Sequence, residues 1–236
     1  PFTFAFAQVG TNCGLVGQNA CVEVDGAAYW MSENGFFRYA GKLESLPCLV
    51  EDFVFDNINM ESGNQMVSAG LNNLFGEVSW FYPTTGSSVV NRMVTYNYFD
   101  SLNLKRPVWT VGSLARTMWE DSAVFGKPHA LEYSASVDSS FDVVGNTEGS
   151  TIYYEHETGT DQVQGGATTA VIASISSGDF DITQRIIRGA QTGMPDLRGD
   201  GEFMMKIRRF IPDFISQTGN TQVTLQLRNF PNDSQA

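Results

Sequence analysis

The residues of this 236-residue chain with the right chemistry for a site are two histidines, three cysteines and a surplus of carboxylates. A nucleophilic triad needs a base held beside a nucleophile, and no Gly-x-Ser-x-Gly turn offers one. His129 follows Pro128 in an expected loop, and His156 sits within Glu155-His156-Glu157 at the end of an aromatic strand. Glu-His-Glu invites a metal reading. Successive strand residues face opposite sides of a sheet, however, so His156 cannot easily share an ion with either neighbour. Cys13, Cys21 and Cys48 are odd in number and form no Cys-x-x-Cys pair. The expectation is reduced, buried thiols rather than a disulfide framework.

The carboxylates outnumber the bases, 26 to 14, for a net charge of -12 and a pI near 4.5. Glycoside cleavage needs two carboxyl groups about 5–9 Å apart across one sugar bond, an arrangement that sequence leaves open. Ser32-Glu33-Asn34-Gly35 has a faint likeness to the Asp-box turn of sialidase propellers. Asn34 stands where the Asp belongs and no Trp follows at the proper place, so a plain hairpin turn is the simpler reading. Trp80, Trp109 and Trp119 could stack on sugars, with core packing the simpler role.

Phosphate loops fail. Leu43 follows Gly41-Lys42, and Gly10, Gly14 and Gly17 miss the Gly-x-Gly-x-x-Gly spacing. Asp196-Leu197-Arg198-Gly199-Asp200-Gly201 places an Arg where a calcium loop wants a third oxygen ligand. Its Arg198-Gly199-Asp200 spells an adhesion tripeptide that chance also produces. We expect no enzyme, no catalytic residue, no cofactor and no bound metal.

An acidic chain does not grip nucleic acid by neutralising phosphates. It can still face nucleic acid as a channel wall, or its charge can serve solubility alone. Lys206-Ile207-Arg208-Arg209, with Arg185, Arg188 and Arg198, gathers positive charge in the last quarter. That distribution suits subunits docking through opposite charges, and equally an ordinary solvated strand face.

The elements that must position these residues read as strands. Phe occurs 17 times and Gly 23 times, with few long helix-forming windows. Phe2, Phe4 and Phe6 alternate with small residues, and Gly10 to Gly17 is a connector. Cys21–Val24 ends at the turn pair Asp25-Gly26. The aromatic runs Ala28–Met31 and Phe36–Tyr39 flank Asn34-Gly35, which predicts a type I′ hairpin. Leu49–Met60 has helical spacing at Val50, Phe53, Val54 and Ile58.

Strands are then expected over Gln65–Asn72, Glu77–Tyr82, Arg92–Phe99 and Val108–Ser113, a set resembling one propeller blade. A looser unit runs from Thr117-Met118-Trp119 through Tyr133 to Ser150–Glu155, with a polar loop over Ser134–Gly149. Beyond a boundary near residue 164, strands are expected at Thr168–Ser174, Gly178–Ile182, Phe203–Ile215 and Thr221–Arg228, with an insertion loop over Gln184–Gly201. The expected architecture is mainly β with few helices: an incomplete β-propeller-like region over 1–164 and an antiparallel β-sheet region over 165–236. No apolar run approaches the roughly 20 residues of a membrane helix. Phe2–Val9 is too short for a signal peptide and lacks a basic leader. The chain opens without Met, which we read as a processed or partial chain.

An ordered series of short motifs spans most of residues 28 to 231. They are Tyr29-Trp30-Met31 with Asn34-Gly35-Phe36 and Tyr39; Leu46-Pro47-Cys48 with Asp52-Phe53-Val54-Phe55-Asp56; Glu77-Val78-Ser79-Trp80-Phe81-Tyr82-Pro83; Tyr96-Asn97-Tyr98; Ala115-Arg116-Thr117 with Trp119; Tyr154-Glu155-His156-Glu157; Ser177-Gly178-Asp179-Phe180-Asp181; and Arg208-Arg209 with Pro212-Asp213. The series resembles the tail nozzle proteins of short-tailed bacteriophages. These are also called tail tubular protein B, and they overlap with the DNA-stabilisation proteins of related phages.

The resemblance implies a propeller-bearing virion subunit that forms a ring, commonly a hexamer, around the genome's exit channel. It implies an adaptor ring above, fibres at the side, and DNA passing without specific binding. The chain departs from the pattern by starting inside the propeller, by stopping at Phe230-Pro231 short of a basic C-terminal stretch, and by a longer loop over Ala135–Ser150. Two other readings stand beside it: a carbohydrate-binding or glycoside-cleaving propeller, and a general interaction propeller of cellular origin.

Overall fold

The computed structural model describes residues 4, 7–61, 64–134, 150–164, 167–171, 173–177, 206–213 and 219–227. The chain divides into two compact units, Pro1–Val171 and Ile172–Ala236.

In the first unit, β1 (Cys21–Val24), β2 (Ala27–Ser32), β3 (Gly35–Tyr39) and β4 (Leu43–Leu46) form an antiparallel sheet in chain order. A second four-stranded sheet follows the same plan with β5 (Ser68–Asn72), β6 (Glu77–Tyr82), β7 (Arg92–Asn97) and β8 (Trp109–Gly112). β9 (Met118–Glu120), β10 (His129–Ser134) and β11 (Ser150–Glu155) make a three-stranded sheet, and β12 (Asp161–Gln164) pairs with β13 (Ala167–Ala170). The first strands lie in succession, β1 against β5 and β5 against β9. Asn19 bridges Ser68, and the Asn19 carbonyl accepts from Ala69 N–H at 2.8 Å.

Turn chemistry and burial set the registers. Asp25 (φ 51°) and Gly26 (φ 78°) supply the two positive φ angles of the β1–β2 turn. The β2–β3 hairpin differs from expectation by one residue: Ser32 pairs with Gly35, so Glu33 and Asn34 form the loop. In the observed register Met31 pairs with Phe36, and both are fully buried.

The core is shared by the two four-stranded sheets. Phe36 of β3 touches Trp80 of β6 (4.9 Å between ring centres) and Trp109 of β8 (4.7 Å), and Val78, Val94, Met31 and Tyr29 close around them.

The expected helix over Leu49–Met60 shrinks to α1, Glu51–Phe55. Past it, Asn59 N–H donates to the Pro83 carbonyl at 2.9 Å and the Asn57 carbonyl accepts from Thr85 at 2.6 Å, so this backbone pairs with a loop instead of propagating a helix. The expected strand end at Phe99 is replaced by α2, Tyr98–Leu104. Asn97 caps that helix by accepting from Asp100 N–H at 2.7 Å, and Lys105, at φ 52°, ends it. The expected strand from Gln65 begins only at Ser68, after a 3₁₀ turn over Asn64–Met66.

In the C-terminal region Thr168–Ala170 belong to β13, while 173–177, 206–213 and 221–227 are not in strands. The described residues of the second unit therefore do not form the expected antiparallel sheet. Alternation such as Val223, Leu225 and Leu227 sets which way side chains face, but a strand also needs a paired backbone. The stretch 178–205, which holds Gly178–Ile182 and the loop 184–201, lies outside the described residues, as do 214–218, Arg228, Phe2, Phe6 and 135–149. Phe4 is described and is not in a strand. Among the described residues, no helix is long and apolar enough to cross a membrane.

Candidate functional site

Among the described residues, the buried charged side chain is Arg116, beside the β9–β10–β11 sheet. Arg116, just before β9, is 6% exposed. Its Nη1 donates to Glu132 Oε2 at 2.6 Å and to the Ala115 carbonyl at 2.7 Å, and its Nε donates to His156 Nε2 at 3.0 Å. The guanidinium also lies 3.9 Å from the centre of the Tyr154 ring, as a cation over an aromatic face. The register explains the meeting. Glu132 pairs with Ile152 across β10 and β11, and His156 follows β11 at the edge of the same sheet.

Electrostatics fix the protonation of this cluster. Burial, then the Arg116 charge and then His129, push the His156 imidazole down to about 4. Because Nε2 accepts from Arg116, the ring is neutral and carries its proton on Nδ1. Burial also pulls the Arg116 pKa down, while the Glu132 charge opposes that shift. An imidazole whose lone pair is already occupied cannot serve as a general base. In this arrangement the cluster ties β10 and β11 to the segment before β9.

The other candidate groups are dispersed. His129 contacts the Tyr153 hydroxyl through Nδ1 and packs 4.5 Å from Phe125, away from any nucleophile in its hydrogen bonds. Glu155 and Glu157 are exposed on either side of His156, and Glu157 accepts from Asn72 Nδ2 at 3.1 Å. Glu77 is held above the usual carboxylate range by burial and then by the charges of Glu157 and Asp100. Among the described residues, no three of His, Cys, Asp and Glu gather as a metal site.

The three cysteines are unpaired. Burial pushes the Cys48 thiol up to about 12. The expectation that all three would be buried fails: Cys21 opens the edge strand β1 and is exposed, while Cys13 and Cys48 are partly buried. Ser32–Gly35 is an ordinary hairpin turn, and Asp196–Gly201 lies outside the described residues. Lys206, Arg208 and Arg209 are exposed.

The indoles carry a role that their spacing did not reveal. Each of the four tryptophans donates its N–H to a backbone carbonyl: Trp30 to Cys13 (2.7 Å), Trp80 to Ala20 (3.0 Å), Trp109 to Pro47 (2.8 Å) and Trp119 to Leu71 (2.7 Å). Trp119 lies across Gly70 so closely that a Cβ there would meet the indole at 2.6 Å. Trp80 is fully buried, while Trp109 and Trp119 are partly buried, and all three N–H groups are taken by the protein's own carbonyls.

Clefts open on the first unit, and two of them are lined by described residues as follows. One, of about 290 Å³, is lined by uncharged groups including Asn19, Gln65, Ser68, Thr117 and Tyr133. The other, of about 200 Å³, is lined by Phe53, Asn57, Tyr82, Thr84, Thr85 and Arg92. Sequence reasoning gave Arg92 and Arg116 no site role of their own, since an arginine's burial leaves no periodic signal. No protein-family model matches the chain, and no curated protein shows significant similarity to it.

Proposed function

We propose that this chain is a structural virion protein, a subunit of the tail nozzle ring that encloses the DNA-ejection channel of a short-tailed bacteriophage. The observation that carries the reading is the order of the sheets. Two consecutive four-stranded up-and-down sheets, and a three-stranded one after them, pack first strand against first strand. Propeller blades are arranged in this way, and the ordered motif series points to the same family.

Charge and surface favour an assembled role. Pro1–Val171 holds nineteen acids against seven bases, so the whole net charge of -12 falls there, while Ile172–Ala236 balances seven of each. An acidic wall repels DNA across a narrow aqueous gap and lets it slide. Around α2, Leu74, Phe75, Phe99, Leu102 and Leu104 are all exposed. They cluster because Tyr98 N–H donates to the Gly76 carbonyl at 2.9 Å, which docks α2 on the β5–β6 turn. An apolar surface of that kind marks a contact with another subunit. In this reading the chain works in the phage tail, in a ring of copies, hexameric by the resemblance, against an adaptor ring and beside fibres.

The sugar-binding alternative is weakened by the commitment of the three indoles to internal carbonyls. Cryo-electron microscopy of the particle containing this chain tests the proposal. The expected result is a symmetric ring with this fold in the wall of an axial channel. A monomer in solution, with no ring in the particle, would sink it.

A further inference from the structure

Tyr82 and Arg92 are direct partners across β6 and β7. Partners of this kind project from the same face with Cβ atoms about 4.5–5.5 Å apart. Tyr82 is fully buried, yet among the described residues its hydroxyl has no hydrogen-bond partner. Buried hydroxyls without partners are costly and uncommon, and each calls for a reason. Arg92 is partly buried and, among the described residues, makes neither an ion pair nor a hydrogen bond. Both side chains line the cleft of about 200 Å³.

The rest of the cleft is already satisfied. Asn57 Nδ2 donates to the Phe53 carbonyl at 2.8 Å, and Thr85 Oγ1 donates to the Asn57 carbonyl at 3.2 Å. The Thr84 hydroxyl accepts from Asn91 Nδ2 at 2.9 Å. No carboxylate lines the cleft. The uncommitted groups are therefore a guanidinium, which can only donate, and a phenol, which can donate. Burial pushes the Tyr82 hydroxyl up, so it keeps its proton at neutral pH, and the nearby Arg92 charge opposes that shift only in part.

We propose that the Tyr82–Arg92 cleft binds a small oxyanion, a carboxylate or a phosphate group. The planar guanidinium fork pairs two ligand oxygens at once; the phenol O–H, which has no accessible surface before binding, becomes the next donor when the wall gives. The cleft of about 200 Å³ has room for an acetate- or phosphate-sized group. This site lies outside the nozzle reading and does not depend on it.

The test is a titration of the full chain with sodium acetate and, separately, inorganic phosphate, at constant ionic strength made up with chloride. Binding is read from amide and side-chain NMR shifts and from the rise in unfolding temperature. A saturable response to either anion is expected, centred on β6 and β7. Arg92→Met should abolish it, and Tyr82→Phe should weaken it severalfold. Arg92→Lys keeps the charge without the fork, and should lose more acetate affinity than phosphate affinity.

A response to acetate alone assigns the cleft to carboxylates; a response to both, or to phosphate alone, assigns it to oxyanions more broadly. If neither anion gives a saturable response at up to about a hundred times the millimolar affinity expected of an exposed contact, the cleft holds water and the proposal falls. It also falls if Arg92→Met, folded by circular dichroism, binds as well as the wild type. Tyr82→Phe removes the unpartnered hydroxyl without removing the ring, so that variant separates binding from folding.

Discussion

Between the two four-stranded sheets, contact is aromatic: Phe36 reaches Trp80 and Trp109, and Tyr96 packs 4.8 Å from Trp109. On the three-stranded sheet the most buried charged residue is Arg116, tied to Glu132, His156 and the Tyr154 ring. Aromatic contact gains its free energy from excluded water and dispersion, neither of which responds to pH. The arginine cluster depends on a guanidinium being paired and an imidazole being neutral. One region is held unconditionally, the other only within a range of proton concentration.

Four measurements break or sharpen that contrast. Trp80→Ala should cost about 3–5 kcal/mol, because it opens a cavity between sheets and removes one of the two donors to the Ala20 carbonyl, which keeps Met31 N–H. Urea unfolding should give nearly the same loss at pH 5 and pH 8, and a loss that varies with pH would mean the aromatic core is not independent of charge. Arg116→Met should cost about 2–3 kcal/mol, less than breaking a fully buried pair, since the Glu132 side chain keeps 26% of its surface in water. A neutral or stabilising Arg116→Met would show that the sheet stands without its cation.

The third is a pH profile. The folded-state value for His156 is about 4, below the ordinary 6.5. Between those values the unfolded chain binds a proton that the folded chain refuses. The neutral-His contribution is therefore complete above about 6.5 and is lost as pH falls toward 4, by about 1–2 kcal/mol once partial solvent exposure is allowed for. Glu77 works in the opposite direction, because its pKa is raised on folding. The difference between wild type and His156→Gln isolates the histidine: their stabilities should diverge most at neutral pH and converge toward pH 4. Parallel profiles would remove the conditional half of the comparison. Smallest is Asn97→Ala, which deletes the α2 cap for about 1 kcal/mol. Its effect should be confined to α2 and the β5–β6 turn, as read by hydrogen exchange.

The legible part of this fold was the part written as period-two alternation. Glu77–Tyr82 is a strand with the expected bounds, because Val78, Trp80 and Tyr82 all turn to the interior. The turn at Asp25-Gly26 was legible because positive φ needs particular residues. Asn34-Gly35 misled by one position: the loop is Glu33-Asn34, and both candidate registers bury Met31 and Phe36 on the same face, so period-two alternation could not choose between them. The helix over Leu49–Met60 was overestimated because its spacing says nothing of the loop carbonyl at Pro83 that captures Asn59. α2 was missed because a run beginning Tyr98-Phe99 reads as strand, and only the Asn97 cap reverses it.

The candidate sites were the least legible. Arg116 meets Glu132 and His156 across 16 and 40 residues of chain. Contacts of that separation arise from sheet register and leave no mark in local spacing.

The four indole hydrogen bonds share a direction. In each, the acceptor carbonyl (Cys13, Ala20, Pro47 or Leu71) precedes its tryptophan in the chain. A ribosome releases the N-terminal end first, so every acceptor is already outside the exit tunnel when its indole emerges. Each indole therefore meets its fastening point as it emerges, whereas Asn59 N–H waits for the Pro83 carbonyl and Asn73 N–H for the Asp121 carboxylate.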